Sequence, residues 1–277
     1  MRSRLLSLAT VPVAAAIAVF AIFGLVGAAN AAPAWAPAAT AAVHPGVMTY
    51  TSGAQCTANF VFTDGTNVYI GQAAHCSGTG AATDTNGCNS HSLPLGTAVQ
   101  VRGATKPGTL VYNSWLTMQK LHETNANVCQ YNDLALVKLN AADIGRTNPS
   151  VPFWGGPTGI NTTGTNTGDT VLSYGNSSLR AGVTALSPKQ GVSLGTDSGG
   201  WNHPVYTVTP GIPGDSGSAF LDRQGRALGV LSTLQIAPLV AANGVGDFNH
   251  EYAYMRAHYN GAISLALGTV SFRGPLA

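Results

Sequence analysis

From Val47 onward the chain is a string of short β-type runs, each cut off by Gly, Asn, Asp, Thr or Pro after a handful of residues, and few folds accept such punctuation. Residues 57–62, 68–71, 97–101, 110–118 and 134–139 read as strands, with Asp64-Gly65 as the hairpin turn between the first two. A Gly/Thr/Asn-rich stretch at 155–168 interrupts the series, which resumes at 170–174, 205–208, 218–221 and 227–232. Helical periodicity is convincing once, over 250–258, behind caps at Asp247 and Asn249. The expectation is an all-β protein of two modules of about a hundred residues each, closed by one short terminal helix.

Composition agrees with this reading. Gly (34) and Pro (15) make up about 18 % of the 277 residues, above the usual share of about 12 %, with no collagen period. With 9 % charged and 45 % hydrophobic residues the chain is far from a disordered composition. Beyond residue 31, eleven basic residues meet eleven acidic ones, so the clustered Lys and Arg that nucleic-acid binding requires are missing and no such partner is expected.

Arg2 and Arg4 precede an apolar run over 5–26, and Ala29-Asn30-Ala31 supplies the small residues a signal peptidase reads. Residues 1–31 are therefore expected to be a secretory signal peptide, the alternative being a membrane anchor, since the run is long enough to span a bilayer. The Ala/Pro-rich residues 32–47 read as a linker or short propeptide. No second apolar stretch of about 18 residues follows, so the expectation is a secreted, extracellular protein without stable membrane association once the leader is cut.

All four cysteines, Cys56, Cys76, Cys88 and Cys129, fall in the part expected to be exported, where two disulfides can form in any of three connectivities. Cys56–Cys76 with Cys88–Cys129 is the preferred pairing, because Cys56 and Cys76 sit at the ends of two strands that read as a hairpin. A zinc site lacks any close Cys-x-x-Cys or Cys-x-x-His pair, and neither a metal nor an organic cofactor is expected.

Three segments bear chemistry: Ala73-Ala74-His75-Cys76 after a strand, Asn132-Asp133-Leu134-Ala135-Leu136 opening one, and Gly214-Asp215-Ser216-Gly217-Ser218 in a loop before another. Together, with a Cys directly after His75 and another 20 positions upstream of it, they resemble the triad segments of the chymotrypsin-like (trypsin-like) serine proteases. The order His, Asp, Ser is that of this fold, whereas subtilisins and α/β-hydrolases use other orders. The resemblance runs from Gly53 to about His258 and is strongest to secreted bacterial, actinobacterial-type members. Gly108-Thr109-Leu110-Val111-Tyr112-Asn113-Ser114-Trp115 and Tyr252-Ala253-Tyr254-Met255-Arg256-Ala257-His258 look like segments of that group.

The resemblance implies two antiparallel β-barrels with a cleft between them, in a protease domain over 48–265. The first barrel would cover about 48–154, the second about 169–265, and a C-terminal tail 266–277. It also implies that His75 takes the proton of Ser216, that Asp133 orients the imidazole, and that the N–H groups of Gly214 and Ser216 form an oxyanion hole. A monomer acting on protein or peptide substrates is expected.

Departures from the animal-type pattern are informative. Ser218 replaces a second Gly after the nucleophile, no Cys lies beyond Cys129, and no Ile-Val-Gly-Gly start exists to deliver a new N-terminus to Asp215. The resemblance to bacterial members implies that an internal Arg pairs with Asp215 instead, and Arg180 is the candidate. The resemblance places Pro210 at the floor of the primary pocket, Gly244 nearby, and Ser232-Thr233-Leu234 on the substrate-binding strand. None is charged, so a small or apolar P1 side chain is expected, with Leu234 in place of a common Gly narrowing the pocket.

Competing patterns are weaker. Gly191-Val192-Ser193-Leu194-Gly195 matches a nucleophile elbow, but turn sequence follows where a helix is needed. His250-Glu251 would need a second His at the position of Tyr254 to bind zinc as metalloproteases do. Asn161 and Asn176 sit in glycosylation-type triplets that Thr/Ser/Gly-rich loops produce by composition. The alternative from another class is a catalytically silent or latent binding module on the same fold, acting outside the cell.

Overall fold

The computed structural model describes residues 33–81, 84–234 and 241–276, so the expected leader at 1–31 lies outside the described residues. Among the described residues no helix is long and apolar enough to cross a membrane.

The first half contains β1 (Met48–Thr51), β2 (Ala54–Thr57), β3 (Val61–Thr63), β4 (Val68–Ala73), β5 (Ala98–Val101), β6 (Gly108–Asn113), α1 (Ser114–Leu121), α2 (Ala126–Tyr131) and β7 (Leu134–Lys138). The second contains β8 (Thr167–Tyr174), β9 (Pro188–Leu194), β10 (Asn202–Thr207), β11 (Ala219–Asp222), β12 (Ala227–Leu234), β13 (Asn243–Asp247) and α3 (Phe248–His258); a final short strand, β14 (Ser264–Leu265), returns to the first half. The first half is an eight-stranded sheet ordered β14-β3-β4-β7-β6-β5-β1-β2, and the second a closed six-stranded barrel ordered β10-β13-β12-β11-β8-β9. Their paired strands are antiparallel throughout.

Burial explains this arrangement. Val61, Val68, Ile70, Leu110 and Val137 fill the first sheet, and Val171, Val205, Phe220, Leu228 and Val245 fill the barrel. A third cluster joins the halves, with Phe60, Phe62 and Leu136 from one meeting Leu172, Leu221 and Val230 from the other under Phe248, Tyr252 and Met255 of α3. Removing this apolar surface from water is what holds the seam closed.

Several expected elements are redrawn. The run at 110–118 is a strand only to Asn113, whose side-chain oxygen accepts from Leu116 N at 3.3 Å and caps α1. The run at 57–62 splits into β2 and β3 because the Asn59 side chain bonds the Phe60 N–H at 2.7 Å, in space that a Cβ on Gly71 would fill. The terminal helix starts two residues early, at Phe248, with Asp247 as its cap, accepting from His250 N at 2.9 Å. Neither α2 nor β9 is apparent in the sequence.

The Ala/Pro-rich stretch, expected as a linker or propeptide, is from residue 33 part of the folded body. Ala36 N and Ala42 N donate to Thr147 O and Arg146 O at 2.9 and 3.0 Å, and Val43 and Val47 are buried. The tail is fastened too: Asn148 Nδ2 donates to Ala36 O at 2.6 Å and to Thr269 Oγ1 at 2.8 Å, joining the Ala/Pro-rich stretch and the tail to the segment between the halves.

Candidate active site

His75 lies in a 3₁₀ turn, Ala74–Ser77, entered directly from β4, and Asp133 lies between α2 and β7. Pairing of β4 with β7 brings the two ends together, and Ala74 N donates to Asp133 O at 2.7 Å. The buried Asp133 carboxylate then accepts from His75 N at 2.9 Å through Oδ1 and meets His75 Nδ1 at 2.6 Å through Oδ2. Ser232 Oγ, from β12, donates to the same Oδ2 at 2.6 Å. A carboxylate can only accept, so Nδ1 bears the proton in the neutral ring and Nε2 keeps its lone pair. Burial of the ring opposes its protonation, but the Asp133 charge and hydrogen bond outweigh that and hold the His75 pKa above its ordinary value.

Ser216 is pinned from both sides of the seam. Its carbonyl accepts from Thr57 N of β2 at 2.8 Å, and the next N–H, of Gly217, donates to Leu231 O of β12 at 2.7 Å. Gly217 has φ +88°, and a Cβ there would lie 2.5 Å from Thr57 O and 2.9 Å from Ala73 N, so no other residue fits. Ser216 and His75 line one cleft of about 520 Å³.

The peptides around Ser216 are held by their carbonyls. Pro213 O accepts from Ser177 Oγ at 2.6 Å, and Gly214 O accepts from Gln55 Nε2 and Thr57 Oγ1 at 2.9 and 2.8 Å. Asp215 O accepts from Ser218 N at 3.0 Å and Ser218 Oγ at 2.5 Å, which gives a role to the serine that replaces glycine there. In planar trans peptides each N–H points away from its carbonyl. The Gly214 and Ser216 N–H groups are therefore turned from these partners, and among the described residues neither has an acceptor.

Asp215, fully buried, anchors this loop. Arg180 grips it bidentately at 2.5 and 2.7 Å, and Ser177 N and Ile212 N donate to it at 3.0 and 3.1 Å. The structure adds Lys189, buried at 3.2 Å from Oδ2, whose Nζ also meets Thr209 O at 3.0 Å. Burial lowers the Lys189 pKa, and the Arg180 charge adds to that against the pull of Asp215.

Of the expected pocket residues, Ser232, Thr233 and Leu234 line the cleft. Pro210 and Gly244 are not among its walls; the Pro210 carbonyl takes Arg180 Nη2 at 3.1 Å instead, and Gly244 abuts Thr233 and Asn202. Asn243 is a cleft residue that the sequence reading missed. Its side chain accepts from Gly211 N at 2.7 Å and donates to Gly211 O and Thr233 O at 3.3 Å each, forming a crosspiece between the cleft's two walls. Followed by glycine, it reads in the sequence as a turn.

The disulfides are Cys56–Cys76, beside His75, and Cys88–Cys129. Their sulfurs are thus committed, although Cys56, His75 and Cys76 cluster closely enough to suggest metal ligands. Ser193 lies in β9, fully buried against Thr165 Oγ1 at 2.8 Å, and is no nucleophile elbow. The Asn161 and Asn176 amides donate to Asp222 Oδ2 and Gly46 O, both at 2.9 Å.

No protein-family model matches the chain, and no curated protein does. Solved structures do. Thermobifida fusca protease A is 15 % identical, with 82 % of this chain and 99 % of that chain covered at a TM-score of 0.50. A glutamic acid specific serine protease, described as using a novel histidine triad in substrate binding, is 18 % identical (81 % and 100 % covered, TM-score 0.49). Cellulomonas bogoriensis chymotrypsin is 17 % identical (76 % and 95 % covered, TM-score 0.44). The chain has the two-barrel fold of chymotrypsin-like serine proteases, and at these identities the likeness is one of fold.

Proposed function

We propose that this chain is a secreted serine endopeptidase working through His75, Asp133 and Ser216. The observation that supports this most directly is the His75 Nδ1 to Asp133 Oδ2 bond of 2.6 Å in a cleft that Ser216 shares. His75 Nε2 takes the Ser216 proton as Oγ attacks the scissile carbonyl carbon, and the carbonyl π pair moves onto oxygen. The N–H groups of Gly214 and Ser216 stabilise that oxyanion, an effect typically worth about a hundredfold or more per donor. The imidazolium, steadied by Asp133, gives its proton to the departing amine, leaving an acyl-enzyme; water then repeats the sequence and frees the acid.

The pocket reading is a small or short apolar P1 side chain. It is supported by the absence of charge among Gly211, Ile212, Leu231, Thr233 and Leu234, the acidic Asp84 of the same cleft lining accepting from Ala81 N at 3.0 Å, and by the Asn243 crosspiece between Gly211 and Thr233. Export is supported by the basic-apolar leader together with two disulfides.

Digestion of a mixed peptide library, with cut sites mapped by mass spectrometry, tests this. Cleavage after alanine-sized or short aliphatic residues, lost in Ser216→Ala, is expected. No cleavage by the oxidised, leader-free protein would point to a silent binding module, and cleavage mainly after Arg, Lys or Glu would overturn the pocket reading.

A further inference from the structure

Beneath Asp133, on the side away from the cleft, lies a second carboxyl group that the peptidase chemistry above does not use. Glu251 of α3 is fully buried, and its Oε1 accepts from Asp133 N at 2.8 Å. Its other oxygen, Oε2, is buried without a hydrogen-bond partner among the described residues. The space it occupies exists because residue 246 is glycine: a Cβ there would lie 2.6 Å from Oε1 and 2.9 Å from Tyr131 O.

Glu251 therefore reaches from a helix of the second half to the main chain of the residue that orients His75. We propose that Glu251 is a positioning residue that, as a neutral acid, fixes the Asp133 main chain and so sets the basicity of His75. The reading rests on the peptidase assignment above. With its N–H held from below, Asp133 presents both carboxylate oxygens upward to His75 N, His75 Nδ1 and Ser232 Oγ.

Neutrality follows from the surroundings. An ionised carboxylate with one bare oxygen in the interior costs far more than a neutral acid similarly placed. Among the described residues the ionisable groups that act on Glu251 are Asp133, Asp247 at the start of α3 and Tyr112 of β6, and none is a cation. Burial pushes the Glu251 carboxyl well above the ordinary carboxylate range; the Asp133 N–H opposes this in part, and the Asp133 and Asp247 charges add to it. A neutral Glu251 also keeps a second negative charge away from the His75–Asp133 pair, where it would make the imidazole too basic to release its proton near neutral pH.

The experiment compares Glu251→Met and Glu251→Gln in the full oxidised chain. One readout is the pH profile of kcat and KM on a peptide substrate. The other is the His75 imidazole titration by NMR, which needs no turnover and so stands even if the peptidase assignment fails. Glu251→Met, which leaves Asp133 N unpaired, is expected to lower kcat by about tenfold at constant KM and to move the His75 titration to lower pH. Glu251→Gln, which keeps a neutral acceptor, is expected to return both to within about twofold of the parent. If Glu251→Met fails to fold, Gly246→Ala, which crowds the carboxyl group, is expected to move the titration in the same direction. A Glu251→Gln variant titrating lower by more than about half a pH unit would mean that Glu251 is charged, and would overturn the proposal. An unmoved titration in Glu251→Met, or in Gly246→Ala where that variant replaces it, would also overturn it, leaving Glu251 a structural role alone.

Discussion

Ser232 Oγ, on the second barrel, donates a 2.6 Å hydrogen bond to Oδ2 of Asp133, on the first sheet, so the acid paired with His75 is held across the seam between the two halves. The site thus depends on the register between the halves as well as on the fold of each. Ser232 was expected on the substrate-binding strand, and it does line the cleft, but its hydroxyl is spent on Asp133.

Replacing Ser232 by Ala removes one of three donors to the Asp133 carboxylate. A hydrogen bond to a charged group is worth about 1.5 kcal/mol at the low end, so kcat/KM on a peptide substrate is expected to fall about tenfold. The thermal unfolding midpoint should fall by only a few degrees, since two donors remain; an unchanged kcat/KM would mean that the cross-seam bond is not used.

The pH dependence follows from His75. Its pKa stands above 6.5, raised by the Asp133 charge and hydrogen bond against the effect of burial. Catalysis needs the neutral ring, so kcat/KM is expected to rise with pH through a midpoint above 6.5, and Asp133→Asn should move that midpoint down while cutting the rate. The stability effect has the opposite sense. A folded-state pKa above the unfolded one stabilises the fold fully below pH 6.5, and that contribution is lost as pH rises through the folded value. Stability and activity should therefore change in opposite directions across this window, which calorimetry beside rate measurements would reveal.

Two buried cations face Asp215, and they are not equivalent. Arg180→Met breaks the bidentate pair and is expected to cost about 3 kcal/mol of stability along with most of the activity, because the loop bearing Gly214 and Ser216 hangs on Asp215. Lys189→Met leaves that pair intact and removes a surplus positive charge, so its cost should be smaller. Denaturant unfolding that ranks Lys189→Met as the more damaging would contradict this order.

Asn243→Gly removes the crosspiece between Gly211 and Thr233. Its expected effect is a shift of P1 preference toward larger apolar residues such as Phe, with reduced cleavage after Ala. Profiling both proteins on one peptide library measures the change, and an unaltered profile would place the depth limit elsewhere.

The parts legible in the sequence were those written locally. His75-Cys76, Asn132-Asp133 and Gly214-Asp215-Ser216-Gly217 are contiguous, and the short β-type runs cut by Gly, Asn, Asp, Thr and Pro, with the Asp64-Gly65 turn, set the all-β class. Arg180 was suggested by the resemblance to bacterial members, in which an internal Arg takes the place of a new N-terminus beside Asp215. What stayed hidden depends on tertiary partners. Lys189 reads as a surface lysine until Asp215 is placed beside it, and Asn243 reads as a turn until the two cleft walls face each other. Glu251 drew attention only as half of a failed zinc motif, since nothing near it in sequence says that Asp133 lies above it. At 110–118 the error was one of period: apolar Val111, Trp115 and Met118 suit a strand or a helix, and the Asn113 cap decides.

The central claim is that His75 activates Ser216. Treating the oxidised, leader-free protein with a fluorophosphonate probe and mapping the modified peptide tests it most directly, with His75→Ala as control. The account predicts a stoichiometric label on Ser216 that is lost in His75→Ala. A folded protein that takes no label, or takes it equally well without His75, would contradict it.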